Sequence, residues 1–282
     1  MILPGAGTVG LDYLDVAHKA AAFTTSVVYD RAGTGWSEPM DLPRSSTQVT
    51  DELRALLSVM GVAPPYVLVG HSLGGLYSRH YATRFPEEVA GLVLLDPTHE
   101  DYNAYMPPEL RERAASQDGT DVEDRTRVAD LIPDALPPEF IAFYRRLFAA
   151  EMPGWPEQIK APLIEAHVNP AWVRTGVLEA SNLDTLHEEV AAAGSLPDVP
   201  VVILVSTGLD DFRRAVCIGQ SEQQLKAEID ARRRLYEAVV AKLPHARLHA
   251  VPDAGHATLP FRRPEAVVQA IREVVGLPSP PA

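Results

Sequence analysis

Ser72 stands in Gly70-His71-Ser72-Leu73-Gly74-Gly75, entered from the apolar run 66–69 and left through a helical pattern at Leu76, Tyr77, Tyr81 and Phe85. This is G-x-S-x-G between a strand and a helix. A turn that tight forces the serine into a strained backbone, and glycines two residues to either side keep neighbouring chain from clashing. The hydroxyl is expected at the carboxyl end of a sheet. The N–H of Leu73, at a helix N-terminus, then points to where an oxyanion would form. A serine hydroxyl is a weak nucleophile and needs a base. Of the nine histidines, His256 follows the last apolar run and precedes the last helical pattern, in Asp253-Ala254-Gly255-His256. A loop there can carry its imidazole over Ser72. The ring needs a carboxylate to orient it. Asp96 closes the run 91–95, while Asp210 and Asp211 follow the run 201–205. Strand-end carboxylates also cap local turns, so the residue types alone leave all three open.

Other spacings suggest different chemistry. Gly5-Ala6-Gly7-Thr8-Val9-Gly10 is a literal G-x-G-x-x-G, with Asp30 a further 20 residues on, which is the dinucleotide-binding pattern. Only Ile2 and Leu3 remain of the strand that should precede it, and Pro4 interrupts the approach. His245 and His249 are spaced like a metal pair, but they straddle the entry to a strand, where that spacing does not converge. The acidic run 118–124 lacks the alternating ligands of a calcium loop and reads as a solvated face. No metal and no cofactor is expected.

The runs 26–29, 66–69, 91–95, 201–205 and 247–251 are short and β-branched, and they alternate with helical patterns. That is the rhythm of a parallel sheet covered on both faces. Thr47 is placed to cap a helix that turns Val49, Leu53, Leu56, Leu57 and Met60 to one side and stops at Gly61. Pro264 opens the last helix, which buries Val267, Val268, Ile271, Val274 and Val275. The rhythm breaks over 98–196, where Phe140, Phe143, Tyr144, Leu147 and Phe148, then Trp172, Val173 and Val177, repeat with helical spacing. We expect a helical lid inserted into a core made of 1–97 and 197–282. The tail 278–282 is expected to fray.

Composition narrows the function. The 282 residues carry 25 Lys and Arg against 38 Asp and Glu, a net charge of −13, which repels nucleic acid. One cysteine, Cys217, excludes an internal disulfide and suits a reducing compartment. No basic, apolar leader is readable and no apolar run approaches the ~20 residues of a membrane span, so a soluble cytoplasmic protein is expected.

The segments Pro4-Gly5-Ala6, 29–37, 70–75, Leu94-Leu95-Asp96-Pro97 and Ala254-Gly255-His256 fall in an order and spacing that resemble the α/β-hydrolase superfamily. The resemblance implies a mostly parallel, doubly wound sheet with a helical cap between its strands 6 and 7. It implies that Ala6 donates the second oxyanion N–H, with Pro4 where the family usually has histidine. It also implies the chain order serine, acid, histidine. Asp96, in a Leu-Asp-Pro context like that of lipases and lactonases with a strand-6 acid, is taken first, with Asp210 and then Asp211 as alternates. Members begin with further strands before the oxyanion loop, and this chain reaches that loop within four residues, so the first antiparallel edge is expected to be missing.

These readings converge on a serine hydrolase that cleaves a small-molecule carboxylic ester or lactone through an acyl-enzyme. The strand-6 acid and the large cap resemble zearalenone-lactonase-like members. Serine at the elbow argues against chemistry that needs a carboxylate nucleophile. The alternatives are a ligand receptor on the same scaffold and, from the glycines 5–10, a nicotinamide-dependent oxidoreductase. No nucleic-acid or membrane partner is expected, and the oligomeric state stays open, a homo-oligomer included.

Overall fold

A computed structural model describes residues 1–117, 122–217 and 219–278. Five strands, β1 (Ile2–Leu3), β2 (Tyr66–His71), β3 (Val89–Leu95), β4 (Val201–Ser206) and β5 (Ala246–Val251), pair in that order and all in parallel. The pairing extends one step past two strand ends. Ser72 N–H donates to Leu95 O at 3.0 Å and Asp96 N–H to Leu204 O at 2.9 Å. Two side chains with chemistry are thereby fixed on adjacent strands at the same edge.

The side-chain period of two sorts the strands between two cores. Leu92 and Leu94 of β3, with Val201, Ile203 and Val205 of β4, face α2 (Ser46–Val59), α3 (Leu73–Arg84), α10 (Leu183–Ala193) and α12 (Glu222–Val240). Their neighbours Val93, Leu95, Val202 and Leu204 face α1 (Leu14–Ala20), α13 (Leu259–Arg262) and α14 (Pro264–Val274). Both faces are buried, which is why β3 and β4 read as unbroken apolar runs. Pro264 starts α14 as expected, and Gly61 closes α2 at φ +67°, a conformation that costs glycine little, but Met60 and Val275, expected on the inward faces, lie past the helix ends and are exposed.

Between β3 and β4 the chain forms α4 (Tyr102–Tyr105), α5 (Pro108–Gln117), α6 (Val122–Asp130), α7 (Pro138–Glu151), α8 (Glu157–His167), α9 (Pro170–Glu179) and α10, with no strand among the described residues. Helix α11 (Asp211–Val216) follows β4. The acidic run 118–124 falls partly outside the described residues, as does the tail beyond Pro278.

Two local expectations are corrected. The run 26–29 forms no strand of its own, only a bridge between Ile2 and Val28 and a bond from Ile2 N–H to Val27 O at 2.9 Å. β1 is two residues long, so it can support no longer ladder on that side. Helix α2 is capped by Ser45, not Thr47. Ser45 Oγ accepts from Gln48 N–H at 3.1 Å while Gln48 Oε1 accepts from Ser45 N–H at 2.9 Å. The reciprocal Ser-x-x-Gln box satisfies two donors where Thr47 would satisfy one.

Candidate active site

β2 delivers Ser72 through a turn that leaves no room for side chains on its glycines. A Cβ on Gly70 would lie 2.4 Å from Ser78 Oγ, and one on Gly74 would lie 2.1 Å from Leu3 O. Ser72 itself takes φ 50°, ψ −116° and precedes the first residue of α3, Leu73. Asp96 has φ 40°; among the described residues these two are the non-glycine positions with positive φ. Each such conformation costs on the order of 1–3 kcal/mol and persists only where surrounding contacts enforce it. Both strained residues carry chemistry.

His256, from the loop after β5, lies between them. Its Nε2 is 3.1 Å from Ser72 Oγ and its Nδ1 is 3.3 Å from Asp96 Oδ2. A carboxylate only accepts, so Nδ1 carries the ring proton and Nε2 is left to accept from the serine hydroxyl. Asp96 is fully buried, takes Ser206 N–H on Oδ1 at 3.0 Å and the Ser206 hydroxyl on Oδ2, and lies 3.6 Å from Arg232 Nη1. Burial raises its pKa, but the Arg232 charge and the bonds from His256 and Ser206 outweigh it and hold the carboxyl at about 2. The His256 pKa is lowered, chiefly by burial, against the opposing pull of its bond to Asp96. A hydroxyl bonded to a neutral imidazole, whose other nitrogen faces a fixed carboxylate, can pass its proton to that ring as it attacks a carbonyl.

The other two carboxylates are elsewhere. Asp210 caps α11 through Arg213 N–H at 2.8 Å, and its Oδ2 accepts from Gly255 N–H at 2.8 Å and from the Thr258 hydroxyl. It therefore ties down the backbone beside His256. Asp211 is exposed and meets Arg214 at 3.0 Å. Of the three candidate acids, the structure brings Asp96 to the ring.

The loop 4–8 lies over the elbow, close enough that a Cβ on Gly5 would come 3.3 Å from Ser72 Cβ. Arg31 holds it: Nη1 donates to Pro4 O at 2.5 Å and Nη2 to Gly5 O at 2.8 Å. Glu179 from α9 pairs with Arg31 at 2.6 Å and accepts from Gly7 N–H at 2.9 Å, both charges being buried. A second brace passes through His71. Its Nε2–H donates to His256 O at 2.9 Å, so Nδ1 accepts from the Tyr13 hydroxyl at 2.7 Å, and Tyr13 Oη takes Gly5 N–H at 3.1 Å. Burial, helped by the nearby His256 charge, pushes His71 down to about 3 and keeps it neutral.

These bonds also bear on the other spacings. In a dinucleotide site the loop amides must face phosphate, yet here Gly7 N–H meets Glu179 and Gly10 N–H meets Asp30 Oδ1 at 2.8 Å. A pyrophosphate would meet carboxylates there. His245 turns to Asp198 at 3.3 Å and His249 to Glu273 at 3.0 Å, so the pair does not converge. Among the described residues no group of three His, Cys, Asp or Glu side chains could hold a metal, and no helix is long and apolar enough to cross a membrane.

The model of the alpha/beta hydrolase family matches residues 1–270. The chain belongs to that family. Its fold is shared with a probable hydrolytic enzyme of Pseudomonas aeruginosa PAO1, at a TM-score of 0.64 and 23% identity over 99% of this chain and 84% of that one. It is shared also with a thermophilic esterase of Thermogutta terrifontis, at a TM-score of 0.59 and 21% identity over 98% and 88% of the two chains. In sequence, 109 residues are 34% identical to the (lyso)-N-acylphosphatidylethanolamine lipase of Mus musculus, covering 37% of this chain and 31% of the lipase. The chain spans less than half the length of this lipase and of other curated relatives it matches. Within this alpha/beta hydrolase, Arg31, His71, Ser206, Glu179 and Arg232 surround the site without having stood out in the sequence. His71 lay inside the elbow motif and Ser206 at a strand end, so both were findable. Glu179 and Arg232 sit in ordinary charged helices, and nothing local marks them.

Proposed function

We propose that this hydrolase cleaves carboxylic esters or lactones through an acyl-enzyme formed on Ser72. The observation that carries the reading is the relay from Ser72 Oγ to His256 Nε2 at 3.1 Å and from His256 Nδ1 to Asp96 Oδ2 at 3.3 Å. Ser72 attacks the carbonyl and His256 takes its proton. Asp96 keeps the ring in the productive tautomer and stabilises its charged form. The oxyanion is received by the N–H of Leu73, which a helix cannot satisfy internally at its first residue, and by that of Ala6 on the adjoining loop. His256 returns the proton to the leaving alcohol, and water then repeats the sequence on the acyl-enzyme.

The helices between β3 and β4 act as the lid in this reading. A mostly apolar cavity of about 100 Å³ lies between them and the core, lined by Gly7, Phe148, His167, Phe212, Ala257 and Phe261. Labelling with a fluorophosphonate followed by peptide mapping is expected to find the probe on Ser72 alone. Ser72→Ala should fold normally and lose about 10⁴-fold or more in kcat on whichever member of an ester and lactone panel the protein turns over. An unlabelled Ser72 in folded protein would overturn the reading.

A further inference from the structure

The relay ends at a cation that the proposed reaction does not require. Arg232, on α12, places Nη1 3.6 Å from Asp96 Oδ2, the same oxygen that faces His256 Nδ1. That nitrogen is buried and, among the described residues, has no hydrogen-bond acceptor. The guanidinium lies 5.7 Å from the centre of the Tyr102 ring. Taking a full charge out of water for one off-distance ion pair is poor value as a stabilising device. Its place behind the acid gives it another consequence.

We propose that Arg232 sets the working pH of the Ser72–His256–Asp96 relay: its fixed charge offsets the field of Asp96 at the imidazole and keeps His256 neutral, hence able to act as a base, in more acidic solution than the Asp96 partner alone would allow. The inference rests on the reading of these three residues as the catalytic relay. The sign follows from charge. An unscreened carboxylate favours imidazolium and raises the pKa of its partner, while a cation behind the carboxylate does the opposite.

Of the other groups facing His256, Arg213 acts in the same direction as Arg232, and the rest are neutral or already paired. His71, from β2, is buried and neutral, its Nε2–H donating to His256 O. Arg213, from α11, is matched by Glu228 at 2.6 Å. Asp210 is occupied by Gly255 N–H and the Thr258 hydroxyl and stands 3.8 Å from Arg262, which is itself paired with Glu151.

The test is kcat/KM against pH from 4.5 to 9 on a p-nitrophenyl ester for wild type, Arg232→Lys, Arg232→Met and Arg232→Gln, each checked by circular dichroism. The neutral variants should move the acid limb up by about 0.5 to 1 in pH. Well down the acid limb, and with each profile normalised to its own plateau, they should therefore fall about three- to tenfold below wild type, with the plateau itself within about threefold of wild type. Arg232→Lys should keep the wild-type limb more nearly than either, which a merely structural role would not produce. An unmoved or lowered limb in a folded neutral variant overturns the inference. Should neither neutral variant fold, Arg232→Lys decides: its shorter side chain sets the charge farther from Asp96, so a limb raised above that of wild type supports the inference and an unmoved or lowered limb overturns it. A flat wild-type profile with chemistry rate-limiting, or a Ser72 that takes no fluorophosphonate, brings down the relay reading and this inference together. A normal limb that the variants do not move brings down this inference alone.

Discussion

Asp96 and Asp210 illustrate what a residue's neighbours decide. Both are buried carboxylates that follow a strand, yet one meets the ring of His256 and the other meets the backbone amide next to it. Asp96→Asn is expected to keep the fold and to lower kcat by up to about 10⁴-fold, because the amide favours the wrong imidazole tautomer. Asp211→Asn should be silent, because Asp211 is exposed and its ion pair among the described residues is the surface one with Arg214. Asp210→Asn should fall between: a cap and a loop bond are weakened, costing on the order of 1 kcal/mol in stability, with a smaller loss of kcat. Parallel kinetics and thermal melts on the three variants check this, and near-normal turnover in Asp96→Asn would refute it. Ser72 and His256 were legible in the sequence because the elbow and the last loop constrain them through glycine spacing and chain order. The acid was not singled out by residue type, since the choice among three carboxylates depends on Asp96 turning to φ 40° and on which amides already occupy Asp210.

At the scale of elements, α9 is the piece that joins the helices between β3 and β4 to the loop over Ser72. Gly176 packs so closely on the loop that a Cβ there would lie 2.8 Å from Gly7 Cα, and one turn on, Glu179 reaches Arg31 and Gly7 N–H. Glu179→Ala leaves the buried Arg31 uncompensated and should cost about 3–5 kcal/mol, read as a lowered denaturation midpoint. Replacing the pair together, Arg31→Met with Glu179→Leu, should recover much of that stability. It should not recover kcat, because the Pro4 and Gly5 carbonyls lose their anchor and Ala6 its fixed position. We expect a fall of about 10- to 100-fold in kcat with KM little changed, somewhat less than deleting an oxyanion donor outright. Recovery of kcat in the double variant would show that the loop holds itself. The parallel strands and the helical segment after β3 were readable from periodicity, which burial on two faces imposes over many residues. The start of α2 and the run 26–29 were misread because each depends on one partner: Gln48 for the cap, and a two-residue β1 for the strand.

For the molecule as a whole, buried neutral imidazoles tie stability to pH. Burial lowers His71 to about 3 and His99 to about 4. Unfolded, each binds a proton near pH 6.5, so between that value and the folded one the unfolded chain holds more protons, and stability falls with falling pH. Urea midpoints should thus decline from pH 6.5 to 4. A second decline should follow below pH 4, as Asp96 and Glu100, both held at about 2 by their partners, approach protonation. Equal midpoints at pH 7 and pH 5 would contradict the first part. The placement of the helical segment between β3 and β4 also bears on how such a protein could be rebuilt. It leaves the core at the carboxyl end of β3 and the chain returns at the amino end of the parallel β4, Leu95 pairing with Leu204 but Val201 with Leu92, so its two ends lie at opposite ends of the sheet and a foreign segment spliced there must bring its own crossover. A chimera made that way would still have lost Glu179, so a transplanted helical segment must bring its own carboxylate to Arg31 or arrive together with a core that never needed one.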